Sequence, residues 1–533
     1  MRRTSVFALG VMGLFALAGQ ALGAVDVIYC KKAGHAKAQV PGAMNAGGPV
    51  ATEWRSMLDL VVSRDGTKWV IRGANQLDAG ATANYDNMMV TGSGTTGQML
   101  AQEGQPIVGG AAGEVYDFFS SVAGKFNDTN HFAYGARARG GVASVFQKII
   151  RYDGSSTAIL HQMGDLISGL VDTGTAGDET FGNSVGVGHF LNSGVAALHD
   201  TTVGNISSTR RPVLTYGSVG FMQANVATAL DLAGTSTVTL AGFSNQSKAN
   251  TFAGSPDAAA WSIVATQVGQ PTTSDAVLVV TGRVRVQEGN PVPSDTATVD
   301  GIFAHGILAN HDWIARGSIL GGGAWAVRNG TLLAKTGGVI AGAETWGATF
   351  YALAANNAGD WAMTAKTSSA DPAADEVLVL NGTQVLLREG DPIDLDGNGS
   401  MDDDAFVGRG NNTLVAFDAN NLAIADDGTI WTIINLRDAA GNDLASSPAF
   451  GVPSAFVRIT PGAPPCPADL DDGSGTGVPD GGVDINDLLY FLAQYEAGNI
   501  AADLDDGSGT GTPDGGVDSN DLLFFLSHYE AGC

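Results

Sequence analysis

Along most of the chain the apolar residues come in short runs rather than in helical stripes. Several runs open on an aromatic residue that follows a polar turn: Trp69 after Asp65-Gly66-Thr67-Lys68, Phe132 after Asn130-His131, then Trp261, Trp313, Trp361 and Trp431. Short runs of β-branched and small residues bounded by Gly, Asp and Asn predict strands joined by tight turns. A second apolar strand follows each aromatic one and closes on a turn, most clearly at Ala101-Gln102-Glu103-Gly104-Gln105-Pro106, Val286-Gln287-Glu288-Gly289-Asn290-Pro291 and Leu387-Arg388-Glu389-Gly390-Asp391-Pro392. Met163-Gly164-Asp165 and Thr336-Gly337-Gly338 are weaker copies. Glycine there supplies a positive φ and the proline stops the strand, so the repeated Glu-Gly is turn chemistry rather than a site.

Successive aromatic strands lie about 48 to 70 residues apart, apart from one double-length gap between Phe132 and Trp261. A divergent copy near Ser193-Gly194-Val195-Ala196-Ala197-Leu198 fills that gap and gives seven units. Units of this size, none able to bury both faces alone, predict a mainly β fold over residues 25–460: a seven-bladed β-propeller. Six or eight blades also fit the spacing, and a string of β-sandwiches is the competing architecture. Val25 to Cys30 reads as one strand of a unit and Ala455 to Thr460 as another, so the two ends of the body would complete one blade.

The last stretch has a different pattern. Asp-Leu-Asp-Asp-Gly-Ser-Gly-Thr-Gly at Asp469 to Gly477 returns unchanged at Asp503 to Gly511, and each copy runs through Pro-Asp-Gly-Gly-Val-Asp into an apolar segment. Leu488, Leu489, Leu492 and Tyr495, and Leu522, Leu523, Leu526 and Tyr529, give each segment one apolar helical face, and the two faces are expected to pack together. Calcium requires oxygen ligands at alternating positions of a loop, a glycine at the turn and a carboxylate about twelve positions in. Asp469, Asp471, Asp480, Asp484 and Asp487 fit positions 1, 3, 5, 9 and 12 if seven extra residues sit between the second and third ligand. Asp503, Asp505, Asp514, Asp518 and Asp521 repeat the set, with Gly481 and Gly515 at the turn. From Cys466 onward there are fourteen acidic residues and no Lys or Arg, so folding of this module is expected to be coupled to cation binding. A solvated acidic tail is the plain alternative.

These residues resemble the dockerin family, in the bacterial form whose second repeat ends in Gly-Cys, here Gly532-Cys533. The resemblance covers residues 466–533 and implies a small all-α, non-catalytic module that binds Ca2+ and attaches its host to a cohesin-like partner. It also implies that Ile485, Asn486, Ser519 and Asn520 stand where that family reads its partner. The insertion in both loops departs from the family pattern.

Residues 1–24 read as a secretory signal: Arg2 and Arg3, an apolar run from Val6 to Ala18, then small residues at Ala21-Leu22-Gly23-Ala24. No later stretch reaches the ~20 apolar residues that span a bilayer, so a secreted or cell-surface protein is expected. Export permits a disulfide, and Cys466 and Cys533 bracket the tail, which suggests that they pair and leave Cys30 as a buried thiol. Pro461 to Pro465 form a Pro-rich linker, residues 461–465. A net charge of −27 argues against a nucleic-acid partner.

Within the body, Asp394, Asp396, Asn398 and Asp402 alternate around Gly399 as a weaker calcium loop without an acidic twelfth residue, since that position is Ala405. The tryptophans suit sugar faces, which makes polysaccharide a candidate ligand, but their recurrence at one repeat position favours a structural role. His199-Asp200 and His311-Asp312 are adjacent pairs that a strand would turn to opposite faces. Arg137 and Arg139, with Arg210 and Arg211, are the basic clusters that suit an anion. No phosphate loop, zinc spacing, nucleophile elbow or dinucleotide fingerprint occurs, and no catalytic residue is assigned. The reading is an exported, non-enzymatic binding or surface protein. A secreted glycoside hydrolase or polysaccharide lyase, or a coat component with a sorting tail, are the alternatives.

Overall fold

The computed structural model describes residues 24–77, 85–119, 124–141, 145–166, 180–181, 186–194, 196–199, 203–204, 213–216, 219–222, 228–232, 236–243, 252–267, 269–341, 344–408, 415–442, 444, 454–462, 466–477, 482–509, 511 and 513–531, with backbone alone between 195 and 251. Contacts divide the chain into a body, Val25–Thr460, and a second unit that holds Pro461–Cys533.

The Trp69 blade shows how the body is built. Trp54–Val62, Trp69–Asn75, Asn87–Ser93 and Thr96–Gln102 pair antiparallel in chain order. Every residue of Trp69–Asn75 is buried, because neighbouring blades cover both faces of the aromatic strand. Trp69 and Ile71 enter a core shared with Trp431 and Phe456 of the preceding blade. Val70, between them, points the other way into a core shared with Phe132 and Tyr134. Val264 likewise meets Trp313 and Trp325, Ala326 meets Trp346 and Trp361, and Leu378 meets Phe417 and Ile434. The cores therefore lie between blades. The recurrent tryptophans belong to them: Trp69, Trp313, Trp361 and Trp431 are all buried.

Among the described residues six sheets have four or more strands, the blades of Trp69, Phe132, Trp261, Trp313, Trp361 and Trp431. Over the described residues the body is a mainly β propeller with these six blades. The Trp431 blade takes its last strand, Ala24–Cys30, from the start of the body, where it lies beside Ser454–Thr460. Arg458 seals this closure with an ion pair to Asp26 at 2.6 Å. Between the Phe132 and Trp261 blades runs a further hairpin, Gly186–Phe190 with Ala196–His199. Its first strand packs against Lys125–Phe126, Phe132–Arg139 and Phe252–Gly254.

The Glu-Gly turns join one blade to the next. Gly104, Gly164, Gly289, Gly337 and Gly390 have φ of 80°, 93°, 80°, 84° and 97°. Each donates its amide across the junction, at 2.8 Å, to the carbonyl of Tyr116, Phe181, Val299, Trp346 and Val407 respectively. Pro106, Pro291 and Pro392 then bridge to the incoming strands at Val115, Thr298 and Phe406.

In the tail, α1 (Ile485–Glu496) and α2 (Ser519–Ala531) follow the two acidic loops. Asp484 caps α1 and Asp487 returns the bond, a capping box. Phe491 and Phe525 stack with centroids 4.1 Å apart and, with Ala468 and Ala502, form the fully buried core. Leu488, Tyr495, Leu522, Leu526 and Tyr529 pack around them. Leu489, Leu492 and Leu523, expected on the packed faces, are exposed instead. The stacked phenylalanines occupy the contact and rotate those leucines outward.

Candidate functional site

The tail carries a run of buried carboxylates: Asp469, Asp471, Asp487, Asp503, Asp505 and Asp521 are all 7% exposed or less. Backbone amides hold Asp471 and Asp487, and the same bonds recur at Asp505 and Asp521. Asp487 Oδ1 accepts from the amides of Leu470 at 2.6 Å and Asp471 at 2.9 Å, and Oδ2 from Asp484 at 2.7 Å. Asp521 repeats this with Leu504, Asp505 and Asp518 at 2.6, 2.9 and 2.7 Å.

The inserted glycines have a definite task. Gly473, Gly475 and Gly477, at φ of 86°, 72° and 75°, all aim their amides at the Asp471 carboxylate at 2.8 to 3.0 Å. Gly507, Gly509 and Gly511 do the same to Asp505 at 2.8 to 2.9 Å. The insertion thus wraps the third-position aspartate in a nest of donors, which only left-handed backbone can form. Burial works against ionisation of Asp471 and Asp521, but these amides hold both carboxyls below the usual range.

Asp484 and Asp518 are exposed and accept from the amides of Asn486 and Asn520 at 2.6 and 2.7 Å. Asp514 is exposed and donates its own amide to Asp503 at 3.1 Å, beside Gly515 at 2.7 Å. Asp480, Gly481, Gly532 and Cys533 lie outside the described residues. Cys466 packs at the edge of the helical core.

The four residues assigned to partner reading divide into two kinds. Ile485 is 56% exposed, and Ser519 is exposed at the equivalent place on α2. Asn486 and Asn520 are half-buried instead, with their amides against Gly473 and Gly507. Ile485, Leu489 and Leu492 form an apolar stripe along α1, with Leu489 at 59% and Leu492 at 37% exposure.

In the body, the hairpins between first and second strands meet around one cavity of about 290 Å3. Their tips are linked in a ring. Asn130 donates to Asp65 at 2.8 Å, Asn192 to Asp128 at 2.8 Å, and the Asn192 amide to Pro256 at 2.8 Å. His311 meets Asp257 at 2.7 Å, the Asn310 amide meets Asn357 at 2.9 Å, Asn357 donates to Asp426 at 3.0 Å, and the Asp426 amide returns to Arg64 at 2.8 Å.

Lys125, His189 and His305 line this cavity with Arg64, Asp128 and Asp426. Burial lowers the Lys125 pKa against the pull of Asp59. His189 is 7% exposed, and burial together with the Lys125 charge pushes it down to about 3. Its Nε2 meets no hydrogen-bond partner among the described residues, whereas His305 Nδ1 lies 2.7 Å from Ser262 Oγ. Sequence reasoning missed all three. No motif surrounds them, and only the closing of the ring brings positions 125, 189 and 305 together.

The other candidates have structural partners. His311 pairs with Asp257, while its neighbour Asp312 holds Arg328 at 2.7 Å. Arg137 and Arg139 both face Asp117, at 3.0 and 3.8 Å. Arg210, Arg211, Asp200 and the His199 side chain lie outside the described residues. Cys30 is fully buried with Sγ 3.5 Å from His35 Nδ1, and burial pushes its thiol up.

Among the described residues, two groups of three carboxylates bring their oxygens within 4.8 Å: Asp394, Asp396 and Asp403, and Asp375, Glu376 and Glu389. The tail aspartates are not among them. In the first group Asp403, rather than the exposed Asp402, completes the loop, because its carboxylate turns inward to the amides of Leu395 at 2.6 Å and Asp396 at 3.2 Å. Asn398 accepts from the Ser400 amide at 2.7 Å, and the Asp394 carboxylate takes the amides of Gly397 and Gly399 at 2.6 and 2.7 Å.

Among the described residues no helix is long and apolar enough to cross a membrane. No family model and no curated protein matches the chain. Among solved structures it is similar to prolyl oligopeptidase B from Galerina marginata, at 10% identity and TM-score 0.29 over 72% of this chain and 47% of that one. The chain thus spans about half the length of that peptidase. An oligogalacturonate lyase in complex with manganese is matched at 10% identity and TM-score 0.35, over 79% of this chain and 97% of that one. A puromycin-hydrolyzing peptidase of Mycobacterium tuberculosis is matched at 10% identity and TM-score 0.29, over 77% and 56%.

Proposed function

We propose that this is an exported, non-enzymatic binding or surface protein, attached to a cohesin-like partner through a calcium-dependent dockerin at residues 466–533. The observation that carries the reading is the pair of matching aspartate loops, each feeding one of two stacked helices, beside the exposed stripe of Ile485, Leu489 and Leu492. Calcium would be held through Asp469, Asp471 and Asp487 and their copies Asp503, Asp505 and Asp521, with Asp480, Asp484, Asp514 and Asp518 closing the loops. A cohesin-like surface would cover the α1 stripe. That face is the more apolar of the two, since Ser519 replaces Ile485 on α2. Residues 1–24 serve as the signal, and Cys466 pairs with Cys533, a closure that contributes on the order of 4 kcal/mol by chain entropy. The Gly186–Phe190 hairpin, sharing the ring of tips, belongs to a seventh blade completed by Val213–Tyr216 and Val219–Met222. The Asp394 loop serves as a weak calcium staple.

The full chain should be retained by an immobilised cohesin panel in calcium and released by chelator. Retention that ignores calcium refutes the docking assignment.

A second reading, a secreted carbohydrate-active enzyme, is favoured by one observation: Lys125 and His189, both shifted toward neutrality, face one cavity. Incubation of the full chain with a polysaccharide panel separates the two. New chain ends support the enzyme, and retention on the polymer without new ends supports the binding protein.

A further inference from the structure

We propose that the junction between the Trp361 and Trp431 blades is a cation site, in which Asp375, Glu376 and Glu389 hold a divalent ion of the calcium class. Asp375 and Glu376 stand where Glu376–Leu380 begins, and Glu389 follows Gln384–Arg388 in the Glu-Gly turn. The Glu389 amide donates to the Glu376 carbonyl at 2.9 Å, which fixes the two ends of the hairpin side by side. Glu376 and Glu389 are 3% and 5% exposed.

The charges do not balance inside the cluster. Lys366 lies 2.7 Å from Asp375 Oδ2 and 3.7 Å from Glu376 Oε1. Arg437 spends its donors on the carbonyls of Val407 at 3.5 Å and Ala373 at 3.2 Å. Lys366 and Arg437, whose charge also bears on Glu389, therefore set two positive charges against three carboxylates. Two polar groups are also left over: Asp375 Oδ1 is buried without a hydrogen bond, and the Glu389 carboxylate meets no donor among the described residues. Unpaired buried oxygens of this kind call for a cation or a proton.

Two sister junctions favour the cation. At the Trp69 blade Glu103 accepts from the Asn87 amide at 3.4 Å and side chain at 3.2 Å, and at the Trp261 blade Glu288 accepts from the Ala276 amide at 3.3 Å. Each of those strands opens on one acid, Asp86 or Asp275, followed by a neutral residue. In the Trp361 blade the second residue is Glu376, a third carboxylate, and the Glu389 carboxylate, unlike its amide, makes no bond to the strand. Glu376 is aimed by the Tyr351 hydroxyl at 2.8 Å and the Ala416 amide at 2.5 Å, as outer partners aim a metal ligand. Oxygen donors without nitrogen or sulfur select hard ions, and calcium accepts the irregular geometry. Lys366 is 39% exposed at its side chain and can withdraw as the ion enters.

Equilibrium dialysis of the full chain with calcium tests the site by ion count. Glu389→Gln should lose one ion per chain and lessen the calcium-dependent rise in the melting temperature of the body, while the helical response of the tail is kept. An unchanged count, the result of a shared proton alone, overturns the proposal. Should Glu389→Gln fold poorly by near-ultraviolet circular dichroism, Lys366→Met decides: removing the competing ammonium must tighten one calcium, and unaltered affinity refutes the site.

Discussion

Replacing Phe491 by alanine should unfold the tail in chelator and reductant and leave it rescuable by calcium. Phe491 and Phe525 are both fully buried and stacked, and among the described residues the only other fully buried members of that core are Ala468 and Ala502. A Phe→Ala change at such a site removes about 3–5 kcal/mol. With the proposed Cys466–Cys533 bridge reduced, a module of this size holds about 3–5 kcal/mol from its core alone, so the loss equals that margin. Calcium at about 100 times its dissociation constant returns about 2.7 kcal/mol per site, and two sites return enough to refold the variant. Amide hydrogen exchange of α1 and α2 within the full chain reads this directly. The expected result is protection in wild type, loss of protection in the variant with chelator, and recovery with excess calcium. A variant that stays protected in chelator would show that the stack is not the core. A variant that calcium cannot protect would show that the aspartate loops do not bind it.

Three further outcomes follow from the geometry. Leu489→Asp, on the exposed α1 stripe, should weaken capture by a cohesin-like partner at least tenfold, as hot-spot losses of about 2 kcal/mol do, with calcium binding unchanged in dialysis. Gly317→Ala should destabilise the body by about 1–3 kcal/mol in denaturant melts, because a β-carbon there would overlap the Gly301 carbonyl and the Trp325 ring. Glu103, pushed up to about 7 by burial and by Asp86, binds its proton more tightly folded than unfolded. Its contribution is complete below the ordinary glutamate range and is lost as pH rises through about 7, so the melting temperature should fall between about pH 5 and about pH 8, and Glu103→Gln should flatten that slope.

Much of this architecture was legible because β-structure and turn chemistry are local. The aromatic run from Trp69 to Asn75 and the glycines of the Glu-Gly turns carry their conformation in the identity of a few neighbours. The duplicated aspartate loops were legible for the same reason, since carboxylate spacing along a loop is also a local property. What the insertion does was not. The glycine nest around Asp471 depends on three left-handed residues curling back on a side chain, which spacing alone does not reveal.

The sequence by itself determined that the body is a mainly β repeat and that its aromatic positions are structural. It also determined that the tail is a duplicated loop and helix, because each follows from short-range periodicity and φ preferences. Only the tertiary structure decided which face of α1 is left open, since the stacking of Phe491 on Phe525 sets the rotation of both helices. Only closure of the ring could bring Lys125, His189 and His305 to one cavity, or place Asp375 and Glu376 beside Glu389. Such meetings join residues far apart in the chain, and their distances are fixed by how blades pack, which no local pattern encodes.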